Sequence, residues 1–377
     1  MHVGARGARP PGPVTSLMAD SRHLWRASLV RFDASPVISF VDGTSTYQQA
    51  FNPSWIEPSA GTSGRAGLLV RSQNCSATVG GECVGCAGTG AKASVMSFAL
   101  LEKNASGTHP PQFKRIDASS VSFGPHDATD DEGTEDPRVV YDTESGRYYM
   151  FYTCFNSGKA KPQAAIPLCL ASNADPTHVP WNVGWVRHGP VGFGAGSKSG
   201  ALLVGSVAEA RPHYLLWGAG TIRVTNSSDL TRWPSPGSVL LTRTLWGNPH
   251  VEAGPPPLRL STGDWLFFFN SWRDDFPKPP GYEPAWAILD GADPTHIVAQ
   301  ASAPLFEPAR ASWCRGVAPY TCNVANVAFV EAAHHASEAE AAAAGAKAGQ
   351  DLVRIYFGGA DAVVGSALVQ VSRTSWV

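Results

Sequence analysis

Charge is scarce in this sequence. Asp, Glu, Lys and Arg make up 16% of its 377 residues and nearly cancel, leaving a net charge of −2. An average chain carries about 25% charged residues. The near-neutral balance offers no basic stripe for a phosphate backbone, which argues against a nucleic-acid partner. Long apolar runs are missing too: none approaches the roughly 20 residues of a helical membrane span, and the best, Trp265 to Phe269, reads as a buried strand. The Arg- and Pro-rich start (Arg6, Arg9, Pro10, Pro11, Pro13) is followed by no apolar signal-peptide core. It reads as a disordered tail, an organelle transit segment or the remnant of a truncated reading frame. The tail is preferred, with residues 1–34 poorly ordered.

Cysteines number 7, and Cys83-Val-Gly-Cys86 has no second C-x-x-C to complete a zinc site. Cys314 and Cys322 bracket a Gly/Pro-containing loop that a disulfide could staple. Together with the sequons at Asn74, Asn104 and Asn226, they tilt the reading towards a secreted or lumenal protein. A cytoplasmic or organellar location stays open. Nothing in the sequence sets the oligomeric state.

What is abundant is turn chemistry, with 38 Gly and 30 Pro, beside 10% aromatics. This composition favours many short strands joined by tight turns. An aromatic-aliphatic run recurs five times: Leu68–Arg71, Tyr148–Tyr152, His213–Trp217, Trp265–Phe269 and Leu352–Phe357. A polar turn follows, and Asp175-Pro176-Thr177-His178 returns as Asp293-Pro294-Thr295-His296, with Ser228–Trp233 in the equivalent place between them. Asp accepts hydrogen bonds from a turn backbone and Pro presets φ. Irregular spacing excludes a short solenoid and fits blades of about four strands. The fold expected is all-β, a single five-bladed β-propeller over residues 35–377, with a β-sandwich as the alternative. An Ala/Glu-rich stretch from Glu331 to Gln350 reads as a helical or disordered insertion, its His334 and His335 solvated.

A propeller gathers its innermost strands around one axis, so chemistry is expected just ahead of the aromatic runs. Three segments there stand out. Glu135-Asp136-Pro137-Arg138 sets two acids and an Arg around a Pro, suited to sugar-hydroxyl binding or proton donation to a glycosidic oxygen. His250-Val251-Glu252 precedes a rigid Pro run, Pro255–Pro257. Gly358-Gly359-Ala360-Asp361 ends the last run, and Asp361 faces the funnel or simply closes a turn.

These segments resemble glycoside hydrolase family 130, the β-mannoside phosphorylases and related mannosidases. The likeness includes Asn52-Pro53, Ala253-Gly254-Pro255-Pro256-Pro257, Ile222–Trp233, Asp290 with Asp293-Pro294, and Pro304–Pro308. It runs in order from about Phe51 to Val371. It implies a five-bladed propeller, with Asp136 as general acid, Arg138 beside it and Arg71 lining a phosphate subsite. Two departures bear on mechanism. The family's Lys-Ile-Gly is here His250-Val251-Glu252, and its Tyr-His-Gly is Phe269-Asn270-Ser271. A Glu near phosphate repels it, by roughly 4 kcal/mol per charge pair at about 4 Å and an effective dielectric near 20.

Inverting hydrolysis of β-mannosides or related β-glycosides is therefore expected first. Asp136 is the acid, acting directly or through a substrate hydroxyl, and Glu252 is the base, with Glu331 as the alternative. In an inverting hydrolase the two carboxyls lie about 6.5–9.5 Å apart. Asn52, Arg71, Glu135, Arg138, His250, Glu331 and Asp361 are the candidate substrate contacts, with Trp246 and Trp272 as stacking platforms. The partner is an oligosaccharide or glycan. No metal or organic cofactor is implied, and inorganic phosphate enters only as co-substrate of a phosphorylase, the second reading. The third is a carbohydrate-binding propeller without turnover.

Overall fold

A computed structural model of the chain describes residues 23–39, 49–59, 64–73, 78–79, 82–83, 94–102, 110–156, 166–194, 196–206, 210–274, 280–316, 324–347 and 349–375. Five antiparallel sheets form the blades of a five-bladed β-propeller. The recurring aromatic run is in each case the second strand from the axis, and the inner strand lies just before it in sequence. The inner strands are Gln49–Ile56, Gly133–Asp142, Gly200–Leu203, His250–Ala253 and Ala328–His335, for blades I to V. In blade II, Gly133–Asp142 pairs with Arg147–Phe155, then come Leu168–Asn173 and Val186–Pro190. Among the described residues no helix is long and apolar enough to cross a membrane.

The aromatic runs earn their place between blades. Strand side chains alternate between the two faces of a sheet, so a strand apolar on both faces can pack against both neighbouring blades. Blade I supplies Leu69, Met96 and Phe98 to a core shared with Tyr148, Met150 and Tyr152 of blade II. The opposite face of the same blade II strand sends Tyr149 and Phe151 against Leu202 and Leu215 of blade III. The repeated Asp-Pro-Thr-His is one Asx turn used three times. Asp175, Asp229 and Asp293 accept from the backbone N–H of Thr177, Thr231 and Thr295 at 2.9, 2.8 and 3.1 Å, and from their hydroxyls.

Blade V closes the ring and corrects the expected boundaries. Residues 23–34, read as part of a tail, include the outer strand His23–Phe32, paired antiparallel with Val363–Ser375 near the other end of the chain. Trp25, Ala27 and Leu29 alternate inward onto the core, which explains the strand despite its arginines. Asp33 and Glu340 both bind the buried Arg354, at 2.8 and 2.6 Å. The expected insertion also shrinks. Its first residues belong to the inner strand Ala328–His335, and its helix is only Glu338–Ala343, capped reciprocally by Ser337 and Glu340. His334 is not solvated: its ring stacks on Trp55 with centroids 4.0 Å apart, and burial pushes its pKa down to about 4. His335 is exposed.

The cysteines pair differently from expectation. Cys154 and Cys169, on neighbouring strands of blade II, form a disulfide, while Cys314 is a buried free thiol. Cys322, Cys75, Cys86, Asn74 and Asn104 lie outside the described residues. Asn226 sits exposed on a blade III strand.

Candidate active site

Irregularities in the inner strands aim the polar side chains. In blades I, II and V the pairing with the second strand slips by one residue, between Phe51 and Pro53, opposite Phe151–Thr153, and between Val330 and Ala332. A bulge re-aims a side chain, and the residues at these three slips include Asn52, Asp136 and Glu331. Asn52 and Asp136 also adopt left-handed backbone, with φ of 47° and 53°. Asn and Asp tolerate this region better than most residues, and the Pro that follows each cannot donate to the sheet ladder.

Asp136 and Glu135 share one cation. Arg71 of blade I donates through Nη1 to Asp136 Oδ1 at 3.1 Å, through Nη2 to Glu135, and through Nε to Ser94 at 3.2 Å. Asn52 Nδ2 donates to the same Asp136 oxygen at 2.6 Å. The two carboxyls are driven apart. Burial pushes both up, but the adjacent guanidinium prevails at Asp136 and leaves it below the usual carboxylate range, whereas burial prevails at Glu135 and raises it. Asn52 is thus a holder of Asp136, and Arg71 a bridge between the two acids.

The second cluster surrounds Glu252, which is buried on the inner strand of blade IV. Lys198 Nζ lies 2.9 Å from its Oε1, Ser199 donates to the same oxygen, and Tyr282 donates to Oε2 at 2.7 Å. His250 Nε2 stands 3.3 Å from the Tyr282 hydroxyl. Burial opposes ionisation of Glu252, but Lys198 and these hydrogen bonds overcome it and hold the carboxyl far below its ordinary range. The expected base therefore faces the axial cluster with both oxygens occupied and 1% of its side chain exposed. Lys198, at 26% exposure, presents the cation instead. Sequence reading missed Lys198, Ser199 and Tyr282. The available signal was position: Lys198-Ser199 precedes the blade III inner strand as Asn52 and Asp136 sit at the slips of theirs, and Ser199 too has a positive φ, 60°.

Three other candidates change role. Arg138 is fully buried and donates to the carbonyls of Asp136, Ala253 and Gly254 at 3.0, 2.9 and 2.8 Å, so it binds backbone and not sugar. Glu331 is also fully buried, 3.2 Å from Arg138 Nη1, and burial pushes its pKa well up. A carboxyl enclosed in this way, out of reach of a bound water or sugar, is a poor alternative base. Asn270, where the resembled family has His, links its amide to both backbone groups of Val330 at 3.0 and 2.8 Å and ties blade IV to blade V. Trp246 packs on the blade core, whereas Trp272 stands edge-on to Tyr282 with centroids 5.0 Å apart, beside the Glu252 cluster.

Asp361 completes the set from blade V. It follows Ala360 in a turn where both residues have φ of 49°, pinned by Ala360 N–H to Val327 at 3.1 Å and Ala362 N–H to Gly359 at 3.0 Å. Burial raises its carboxyl to about 7, moderated by Arg71 and Lys198 and reinforced by Asp136. An acid raised on folding holds a proton that the unfolded chain has released. Its contribution is therefore favourable below about pH 4 relative to the contribution above about pH 7, and is lost as pH rises between them. Asp361→Asn is expected to melt above wild type at pH 8, with the difference closing by pH 4; melting curves across that range check it.

No family model matches this chain. In sequence it is 26% identical over 266 residues to a 1,2-beta-oligomannan phosphorylase of Thermoanaerobacter sp. (strain X514), covering 69% of this chain and 75% of that one. In structure it matches a protein from the GH130 family of mannoside phosphorylases containing glycoside hydrolases that target beta-1,2 mannosidic linkages in Candida mannan. That match has a TM-score of 0.61 and 21% identity, over 89% of this chain and 93% of the other. A glycosyl hydrolase from Bacteroides ovatus matches with a TM-score of 0.61 and 22% identity over the same shares.

Proposed function

We propose that this protein, which is glycoside hydrolase family 130-like in sequence and fold, cleaves β-mannosides with inversion and uses inorganic phosphate as nucleophile. The observation that carries the choice of nucleophile is the closed state of Glu252. A general base works best with a pKa near the operating pH and within reach of the proton it takes. Glu252 is held strongly acidic and both its oxygens are occupied. Lys198 neutralises it, which removes the repulsion that the sequence alone suggested. Arg71, Lys198 and His250 then supply cations and donors for a phosphate.

The acid side follows from Arg71. At rest its guanidinium holds Asp136 ionised. A phosphate that draws Arg71 towards itself relieves Asp136 of that charge and raises its affinity for a proton. Asp136 then protonates the glycosidic oxygen, directly or through a sugar hydroxyl. A phosphate oxygen forms its bond to the anomeric carbon from the opposite face as the glycosidic bond breaks. Dihydrogen phosphate supplies that proton to Asp136 before the bond breaks and attacks as hydrogen phosphate, so one proton passes from phosphate through Asp136 to the leaving oxygen.

One observation favours hydrolysis as a second reading. Asp361, raised to about 7, has the proton affinity of a base able to activate water near neutral pH. Incubating β-1,2-mannobiose with and without phosphate separates the two: mannose 1-phosphate formed only with phosphate supports phosphorolysis, and free mannose without it supports hydrolysis.

A further inference from the structure

Arg138 makes hydrogen bonds to the backbone of both halves of the site. Its Nη1 donates to the carbonyl of Asp136 at 3.0 Å, its Nη2 to Ala253 at 2.9 Å and its Nε to Gly254 at 2.8 Å. Asp136 belongs to blade II, and Ala253 and Gly254 follow Glu252 directly on blade IV. These blades are not neighbours in the ring, so the guanidinium reaches across the axis. Asp136 needs such a hold, since its φ of 53° lies where a non-glycine residue is kept only by its surroundings.

Glu331 stands 3.2 Å from the same Nη1 that donates to Asp136, yet neither of its oxygens makes a hydrogen bond. It lines a cavity of ≈ 100 Å³ with Ser54, Trp55, Tyr148, Pro257 and His334, towards the trailing ends of the inner strands. The carbonyls, not the carboxyl, satisfy Arg138.

We infer that Arg138 is a positioning residue that fixes the separation between the acid Asp136 and the Lys198–Glu252 ion pair through the hydrogen bonds of its guanidinium to three carbonyls. This inference rests on the cleavage chemistry proposed above. Inverting displacement needs acid and nucleophile held on opposite faces of one carbon. Misplacement by about 1 Å costs on the order of 100-fold in rate. Lysine cannot substitute, because its single ammonium lacks the planar fork.

Arg138→Lys is expected to lower kcat for phosphorolysis of β-1,2-mannobiose about 100-fold while KM for the mannoside stays within about threefold. Its crystal structure is expected to show Asp136 released from the left-handed region and from Asn52. Glu331→Gln is expected to keep activity within about threefold, because the carboxyl makes no hydrogen bond to lose. A folded Arg138→Lys with wild-type kcat, or with Asp136 unmoved in the crystal, overturns the inference. So does a Glu331→Gln loss as deep as that of Arg138→Lys, which assigns the role to the ion pair. Arg138→Gln, read in the same way, serves where the lysine variant does not fold; failure of both to fold makes Arg138 a residue of the fold and also overturns the inference. Wild type without turnover in any condition defeats the cleavage reading instead, and the crystal structure of the variant still decides the clamp.

Discussion

Asp136→Asn is expected to lower kcat by about 10²–10⁴-fold, the range a positioned general acid contributes. The substitution preserves shape and one oxygen, so Asn52 can still donate where it now meets Asp136 Oδ1 at 2.6 Å. It removes the proton-carrying function and the ion pair with Arg71 at 3.1 Å. The mannoside KM is expected to change far less than kcat, because the lost interaction belongs to proton transfer and not to ground-state binding. Steady-state kinetics with β-1,2-mannobiose, paired with calorimetric binding, give both numbers. A wild type that binds the mannoside without turning it over, with binding unchanged in the variant, would support a binding propeller instead.

Lys198→Met is expected to be destabilising, by up to about 3–5 kcal/mol, the figure for a fully buried pair, since Lys198 keeps 26% of its side chain exposed. Breaking a buried pair leaves an uncompensated charge in place. Glu252 is that charge, with Ser199 and Tyr282 remaining as neutral donors. Adding Glu252→Gln to Lys198→Met is expected to recover most of the loss, while neither variant recovers the affinity for phosphate. Glu252→Gln alone separates the two mechanisms. An anchoring carboxylate predicts a change in kcat of less than about tenfold, whereas a general base predicts about 10²–10⁴-fold. Chemical unfolding and phosphate-dependent kinetics on the same preparations check both statements.

The architecture was legible because its determinants are local and repeated. Five aromatic runs marked the second strands, and one Asp-Thr turn marked the connection from third to fourth strand in three blades. The outer strand His23–Phe32 was hidden because its partner lies more than 300 residues away; its alternation has meaning only once Val363–Ser375 is beside it. The site was half legible. The Glu135–Arg138 segment stood out as two acids and an Arg around a Pro, and Asn52-Pro53 entered with the family resemblance, but the state of a carboxyl depends on what folds against it. Glu252 read as a free base because Lys198, 54 residues earlier on another blade, leaves no trace near it in sequence. Arg138 read as a sugar ligand for the same reason, since the carbonyls it binds include two from blade IV.

The nucleophile is the central claim, and phosphate dependence tests it most directly. Purified protein with β-1,2-mannobiose, followed by product analysis with and without inorganic phosphate, is expected to yield mannose 1-phosphate only when phosphate is present. Free mannose released at the same rate without phosphate would contradict the account and return the site to hydrolysis, with Asp361 as the first candidate for its base.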